Sequence, residues 1–223
     1  DHSAYKSDPL GRLNRTSLFV TTANYGSMPE VQSAVQMVRT AHRPVTGVSE
    51  RGISYSANQP PLAAWVQNTL TDSFLEAYQT FCRPLGHDEA DQFVQEQSKI
   101  GALLGVVELP QTAADLRSWI VDHPDLAESQ ALHQAWDFLR NPPLNTGQLL
   151  GYKILRSAAV ATLPQNFNQL TNASSSRRAV FAGRRLIGSL RWAMKYSPAW
   201  KAALDRCGAT YDPSKFRSFE DRQ

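Results

Sequence analysis

The sequence is poor in cysteine and lacks long hydrophobic runs. Its two cysteines, Cys82 and Cys207, lie far apart and form no CxxC pair. A disulfide scaffold or a structural zinc site is therefore not expected, although a single bridge between the two thiols stays open. Two isolated thiols suit a reducing compartment such as the cytoplasm. No stretch approaches the roughly 18 consecutive apolar residues that a membrane-spanning helix requires.

Common catalytic motifs are absent as well. The sequence contains no GxGxxG, GxxxxGK[ST], GxSxG or HExxH, and no Glu-x-x-His pair. These absences argue against a dinucleotide-binding enzyme, a P-loop NTPase, a serine hydrolase of the α/β type, a zinc protease and a di-iron bundle.

Helix signals dominate the rest of the sequence. Ser27, Pro29 and Glu30 form a capping box with proline in the first turn, which predicts the start of a helix. A second helix is predicted from Pro60, because apolar residues then recur with a 3.6-residue period over about five turns. These residues are Leu62, Trp65, Val66, Leu70, Phe74, Ala77, Tyr78 and Phe81.

The fold class follows from the same signals. No alternating strand pattern flanked by a hairpin turn is found, and residues 48–58, which contain Gly52, Ser54, Ser56 and Asn58, are predicted to form a loop. With 223 residues, 42% of them hydrophobic, the chain can bury one substantial core. We therefore predict an all-α protein, a single globular domain over residues 1–223 in which about eight helices pack as a bundle or in a globin-like way.

His42 is the histidine whose position points to chemistry. It follows Val38 by four residues and precedes Val45 by three, so it falls on the apolar stripe of its helix. Its ring is therefore predicted to face the core, where a neutral imidazole needs a partner for its acceptor nitrogen. Two interpretations stay open: a hydrogen-bonded core histidine, or a ligand to a metal or haem iron.

Arg12, Arg15 and Thr16 form a second candidate group. On a helix, this spacing places two guanidinium groups and a hydroxyl on one face. The face is either a solvated basic surface or part of a binding site.

Positive charge is concentrated near the end of the chain. Residues 172–223 hold 11 Lys and Arg against 4 Asp and Glu, whereas the preceding residues hold 12 against 16. Residues 177–196 are predicted to form a basic amphipathic surface helix that does not bind nucleic acid, because interleaved apolar residues need a core to cover them. These apolar residues are Val180, Phe181, Leu186, Ile187, Leu190 and Trp192.

Short motifs in a fixed order resemble the rubber oxygenase (latex-clearing protein) catalytic domain family, which also includes the oxygenase of mycophenolic acid biosynthesis. The similarity runs from His2 to about Gly208. Its landmarks include Asp8-Pro9-Leu10-Gly11-Arg12-Leu13-Asn14-Arg15-Thr16, Tyr25-Gly26, Val38-Arg39-Thr40-Ala41-His42, Tyr55-Ser56-Ala57-Asn58 and Leu104-Gly105-Val106.

The resemblance implies an all-helical fold that binds haem b, with His42 as the proximal iron ligand. Arg12 and Thr16 match the arginine and threonine on the distal side in that family, and Arg15 is implied to lie beside the cofactor. The implied chemistry is dioxygen-dependent attack on a small apolar substrate, such as an isoprenoid alkene.

The sequence departs from the family at several points. The family has lysine where this chain has Arg15, and a guanidinium stays protonated and cannot coordinate iron. The family's upstream helices have no counterpart before Asp1, so either that segment is missing from this chain or the activity differs. The alternative function is a cofactor-free helical binding protein, whose basic C-terminal helix meets an acidic partner or a membrane surface. The sequence does not indicate an oligomeric state.

Overall fold

A computed structural model gives the structure of residues 6–164, 167, 176–194 and 197–210. Over these residues the chain forms nine helices and one short hairpin, which confirms the all-α prediction. The elements are α1 (Pro9–Tyr25), α2 (Met28–His42), β1 (Thr46–Val48), β2 (Ser54–Ser56), α3 (Pro60–Phe81), α4 (His87–Leu103), α5 (Ala113–Val121), α6 (Gln130–Arg140), α7 (Thr146–Val160), α8 (Arg177–Met194) and α9 (Pro198–Arg206). None of the helices described has the length and apolar character needed to cross a bilayer.

Side-chain caps fix the start of several helices. The Ser27 backbone N–H donates to Glu30 Oε2 at 2.6 Å, and the Ser27 hydroxyl donates to the same oxygen at 2.7 Å. Asp8 caps α1 by accepting from the Gly11 N–H at 2.9 Å. These carboxylates satisfy N–H groups that a helix leaves unpaired at its first turn, so the start of α2 lies where the sequence predicts it.

A small hairpin connects α2 to α3. β1 pairs antiparallel with β2, with Thr46 opposite Ser56 and Val48 opposite Ser54. The prediction of a plain loop over residues 48–58 is therefore wrong in part. The strands are too short to show a period of two, and their pairing is fixed by the turn, in which Gly52 has a φ of +75°.

The main hydrophobic core lies between α3, α4 and α5. It consists of Leu75, Ala90, Val94, Leu116 and Ile120, all buried. Three aromatic side chains, Trp65, Trp119 and His123, extend this core as a mutually contacting cluster, with ring centres 4.7 to 6.0 Å apart.

Buried polar side chains on α3 hold its neighbours in place. Gln67 Nε2 donates to the Gln97 carbonyl of α4 at 3.1 Å, and Asn68 Nδ2 donates to the Glu108 carbonyl at the same distance. Both side chains are almost fully buried, so these amide groups are satisfied only by protein. They fix the register of α4 and of the segment before α5 against α3.

The basic helix α8 packs on α3 and α7 through one side only. Gly183 is buried, and Leu186 and Ile187 are half-buried. In contrast, Phe181 is 65% exposed and Trp192 is 84% exposed. The prediction that these two aromatic residues pack on the core is wrong, because at 100° per residue they lie on the side of α8 opposite Gly183.

Candidate functional site

The candidate residues lie on the two arms of a helical corner. α1 and α2 pack together and are joined by Gly26 and Ser27. With a rise of 1.5 Å per residue, Arg12 lies about 20 Å from the corner along α1, and His42 lies about 21 Å from it along α2. The two residues are thus equally far from the point where their helices meet.

His42 is the last residue of α2, and its side chain is exposed. The prediction that its ring faces the core is wrong, as is the interpretation as a core histidine. The apolar stripe is buried at Val31 and Val35 and half-buried at Val38, so α2 leaves the core before it reaches His42. The ring is exposed and has no hydrogen-bond partner among the described residues, so its nitrogen atoms are accessible to a ligand.

Arg12, Arg15 and Thr16 are exposed on the first turns of α1. Thr16 Oγ1 donates to the Arg12 carbonyl at 3.1 Å, so the hydroxyl offers an outside ligand an acceptor rather than a donor. Arg15 Nη1 donates to Asp8 Oδ2 at 3.3 Å. The Arg12 guanidinium has no hydrogen-bond partner within the described part of the chain, so its N–H groups point to solvent.

A cleft of about 710 Å³ lies between α1, α3, α4 and α8. Arg12, Thr16, Val20 and Asn24 follow one another at four-residue intervals, so they form one ridge of α1. Val20 and Asn24 line the cleft, which therefore begins one helical turn beyond Thr16. The apolar part of the lining comprises Val20, Phe74, Leu75, Ala77, Tyr78, Phe81, Leu85, Phe93 and Ile187, and Cys82, which is a free thiol, adjoins it.

The rim of the cleft is polar. Arg83 and Glu89 form a bidentate ion pair, in which Nη2 donates to Oε1 at 2.6 Å and Nη1 donates to Oε2 at 2.9 Å. The hydrogen bonds from Arg83 and from the Gly86 N–H lower the pKa of Glu89 to about 2. Gln97 Nε2 donates to Asn24 Oδ1 at 2.7 Å and so ties α4 to α1 across the rim. An apolar floor with a few fixed polar groups is typical of a small-molecule site.

Sequence reasoning missed this cleft. Phe74 and Tyr78 fit the periodic pattern of α3, which predicts a core position, yet their side chains are 44% and 39% exposed in the cleft. A usable signal exists: the apolar residues of α3 cover more of its circumference than one packing face requires. The apolar residues of α3 outside its packing face follow one another at four-residue intervals: Leu62, Val66, Leu70, Phe74 and Tyr78.

The candidate residues on α1 and α2 fit a haem better than a metal ion held by side chains alone. Within the described ranges, no group of three or more His, Cys, Asp or Glu side chains could hold a metal ion. Haem iron receives four nitrogen ligands from the porphyrin and needs as few as one from the protein. His42 offers an accessible imidazole, Arg12 offers a cation for a carboxylate, and Leu10 and Leu13 are exposed apolar side chains of α1.

Comparison with known protein families matches residues 1–192 to the family described as "ER-bound oxygenase mpaB/B'/Rubber oxygenase, catalytic domain". The match includes α1, α2, the cleft and every candidate residue described above. No curated protein and no solved structure matches the chain.

Proposed function

The chain belongs to the mpaB and rubber oxygenase catalytic-domain family, and we propose on this basis that it is a haem b-dependent oxygenase with His42 as the proximal iron ligand. One observation supports the assignment above all. The His42 ring is accessible at the far end of α2, and Arg12 lies about equally far from the corner on α1, with Thr16 one helical turn nearer to it. In this proposal His42 would hold the iron, and Arg12 would supply a guanidinium group to the same site.

Each residue has a separate task in this proposal. Bound haem would supply the activation of dioxygen. His42 holds the iron through one ring nitrogen. Arg12 has N–H groups free to donate toward dioxygen or substrate, while Arg15 can turn from Asp8 to a haem carboxylate. Thr16 contributes a hydrogen-bond acceptor, because its proton is held by the Arg12 carbonyl.

The cleft is the proposed place for the apolar substrate. Its volume of about 710 Å³ lies within the range of ligand sites, and its floor consists of aromatic and aliphatic side chains. The ridge from Arg12 to Asn24 leads from the proposed haem position into the cleft. Phe74, Tyr78 and Phe81 would contact an alkene or aromatic chain, and the rim at Arg83 and Glu89 would contact water or a polar end group.

A haem titration of the purified chain tests the proposal. The wild-type protein is expected to bind one haem with a Soret band, and His42→Ala is expected to lose the band while its far-UV circular dichroism stays helical. His87→Ala is the matched control, because His87 is an exposed histidine at the start of another helix. An unchanged Soret band and iron content in His42→Ala would exclude His42 as the ligand. A wild-type chain that binds no haem would favour the cofactor-free binding protein instead.

A further inference from the structure

The outer face of α8 combines strong positive charge with exposed aromatic rings. α8 contains five arginine residues and no acidic residue. Phe181 and Trp192 are 65% and 84% exposed, and Arg177 and Arg178 are exposed beside them. We define these four residues, with Arg185, as the outer face of α8.

The geometry of α8 places the aromatic rings on one line. Phe181 and Trp192 are eleven residues apart, which is three helical turns and about 16 Å. The exposed arginine residues flank this line within about 60° of helix rotation. The Arg185 guanidinium carbon lies 5.9 Å from the centre of the Phe181 ring, so charge and apolar surface are in direct contact.

The opposite side of α8 is fixed to the protein body. Gly183 is buried against α7 and α3, and Arg184 Nε donates to the Thr80 carbonyl of α3 at 2.6 Å. The helix therefore presents its outer face as a rigid surface about 27 Å long. The exposed rings cannot turn inward without breaking this packing, so their exposure is a property of the fold.

Exposed aromatic rings between arginine residues suit a partner that combines phosphate groups with an apolar layer. Arginine binds phosphate groups, while phenylalanine and tryptophan enter the apolar boundary below lipid headgroups. A nucleic-acid duplex would use the charges but would leave both rings in water, because phosphate contacts supply most of that binding. An acidic protein would also neutralise the charges, but rings that are 65% and 84% exposed between basic residues suit the apolar boundary below lipid headgroups better.

We propose that the outer face of α8 docks on the surface of an anionic lipid bilayer. The helix lies parallel to the membrane plane, Phe181 and Trp192 enter the headgroup region, and the arginine side chains bind lipid phosphates. This docking does not require haem, and it is distinct from the cleft and from His42.

Vesicle sedimentation of the full chain tests the proposal. We expect binding to phosphatidylcholine–phosphatidylserine vesicles and little binding to phosphatidylcholine alone. Arg177→Glu/Arg178→Glu is expected to weaken binding at least about tenfold, since each basic residue near an anionic surface contributes measurably. Acidic residues favour the first turn of a helix, so this variant keeps α8 folded. Phe181→Ser/Trp192→Ser is expected to weaken binding while preserving its salt dependence.

Lys99→Glu/Lys153→Glu is the matched control. Both lysine residues are exposed on other helices, and the variant changes the net charge by the same amount as the arginine pair. It is expected to lose much less affinity than the arginine variant. Equal losses in the two charge variants would reduce the effect to net charge and overturn the proposal. Wild-type binding that is equal on neutral and anionic vesicles, or tighter binding to a DNA duplex than to anionic vesicles, would also overturn it.

Discussion

Gly183 of α8 lies so close to Ala158 of α7 that a Cβ atom at position 183 would stand 2.6 Å from the Ala158 Cβ atom. From α3, Phe81 Cε1 would lie 3.0 Å from the same atom. This three-helix contact seats α8 on the protein body. It therefore decides which side of α8 faces outward and which side borders the cleft.

Replacing this glycine is expected to destabilise the protein. Gly183→Ala should lower the free energy of unfolding by about 1–3 kcal/mol, because the extra methyl group forces α7 and α8 apart. This loss should exceed the gain of about 1 kcal/mol that alanine brings to a helix interior. Gly188→Ala is the control, since a Cβ atom there meets nothing within 4 Å, and it should leave stability unchanged or raise it. Equal stabilisation by both variants in urea unfolding would contradict the close contact.

Local signals account for what the sequence predicts correctly. The start of α2 depends on Ser27 and Glu30, which are three residues apart, so the cap can be predicted without knowledge of the fold. The helical period of α3 likewise depends on residues within one segment. Both predictions concern interactions that form inside a single element.

The site could not be predicted in the same way, because exposure depends on neighbouring elements. The helical period of the apolar residues places His42 on the same stripe as Val31 and Val35, but it does not show where the neighbouring helices stop covering that stripe. The environment of Phe74 is equally hard to predict, since an apolar residue in a regular pattern can line either a core or a cleft. The family resemblance implies roles for His42, Arg12 and Thr16, and the structure places all three side chains at the surface.

A second prediction concerns the ion pairs of Arg117. Arg117 Nε lies 3.2 Å from Asp72 Oδ1, and its Nη2 lies 3.0 Å from Glu76 Oε2. Burial raises the pKa of Asp72 above its ordinary value, and the attraction of Arg117 works against that rise. Arg117→Met should lower the free energy of unfolding by about 1–2 kcal/mol at neutral pH, because it leaves a poorly solvated carboxylate without its cation.

The pH dependence of this loss follows from the sign of the shift. A carboxyl group whose folded pKa is raised binds its proton more tightly in the folded state, so its stabilising effect is present below the unfolded pKa and is lost as pH rises through the folded pKa. Without Arg117, the ionisation of Asp72 costs the folded state more stability. The difference in the free energy of unfolding between wild type and Arg117→Met, measured in urea, should therefore shrink between pH 7 and about pH 4, where Asp72 becomes protonated. Arg117→Lys should retain part of the stability, and a difference that does not change with pH would contradict the role assigned to Asp72.

The third prediction separates cofactor binding from catalysis at Arg12 and depends on the proposed haem site. The Arg12 guanidinium is exposed and has no hydrogen-bond partner within the described residues, so its removal should not disturb α1. A single exposed charge contact to a haem carboxylate is worth up to about 1 kcal/mol, so Arg12→Ala should change haem affinity by less than about fivefold. If Arg12 instead donates a hydrogen bond during reaction with dioxygen, oxygen consumption by Arg12→Ala in the presence of an apolar alkene should fall about 100-fold.

Two further variants check this assignment. Arg12→Lys retains the charge but loses the forked donor, so it should bind haem normally and recover only part of the turnover. Arg15→Ala should reduce turnover far less than Arg12→Ala, because the task proposed for Arg15 is to pair with Asp8 or with a haem carboxylate and not to donate to dioxygen. Haem affinity and turnover that fall in parallel in Arg12→Ala would instead assign Arg12 to holding the cofactor.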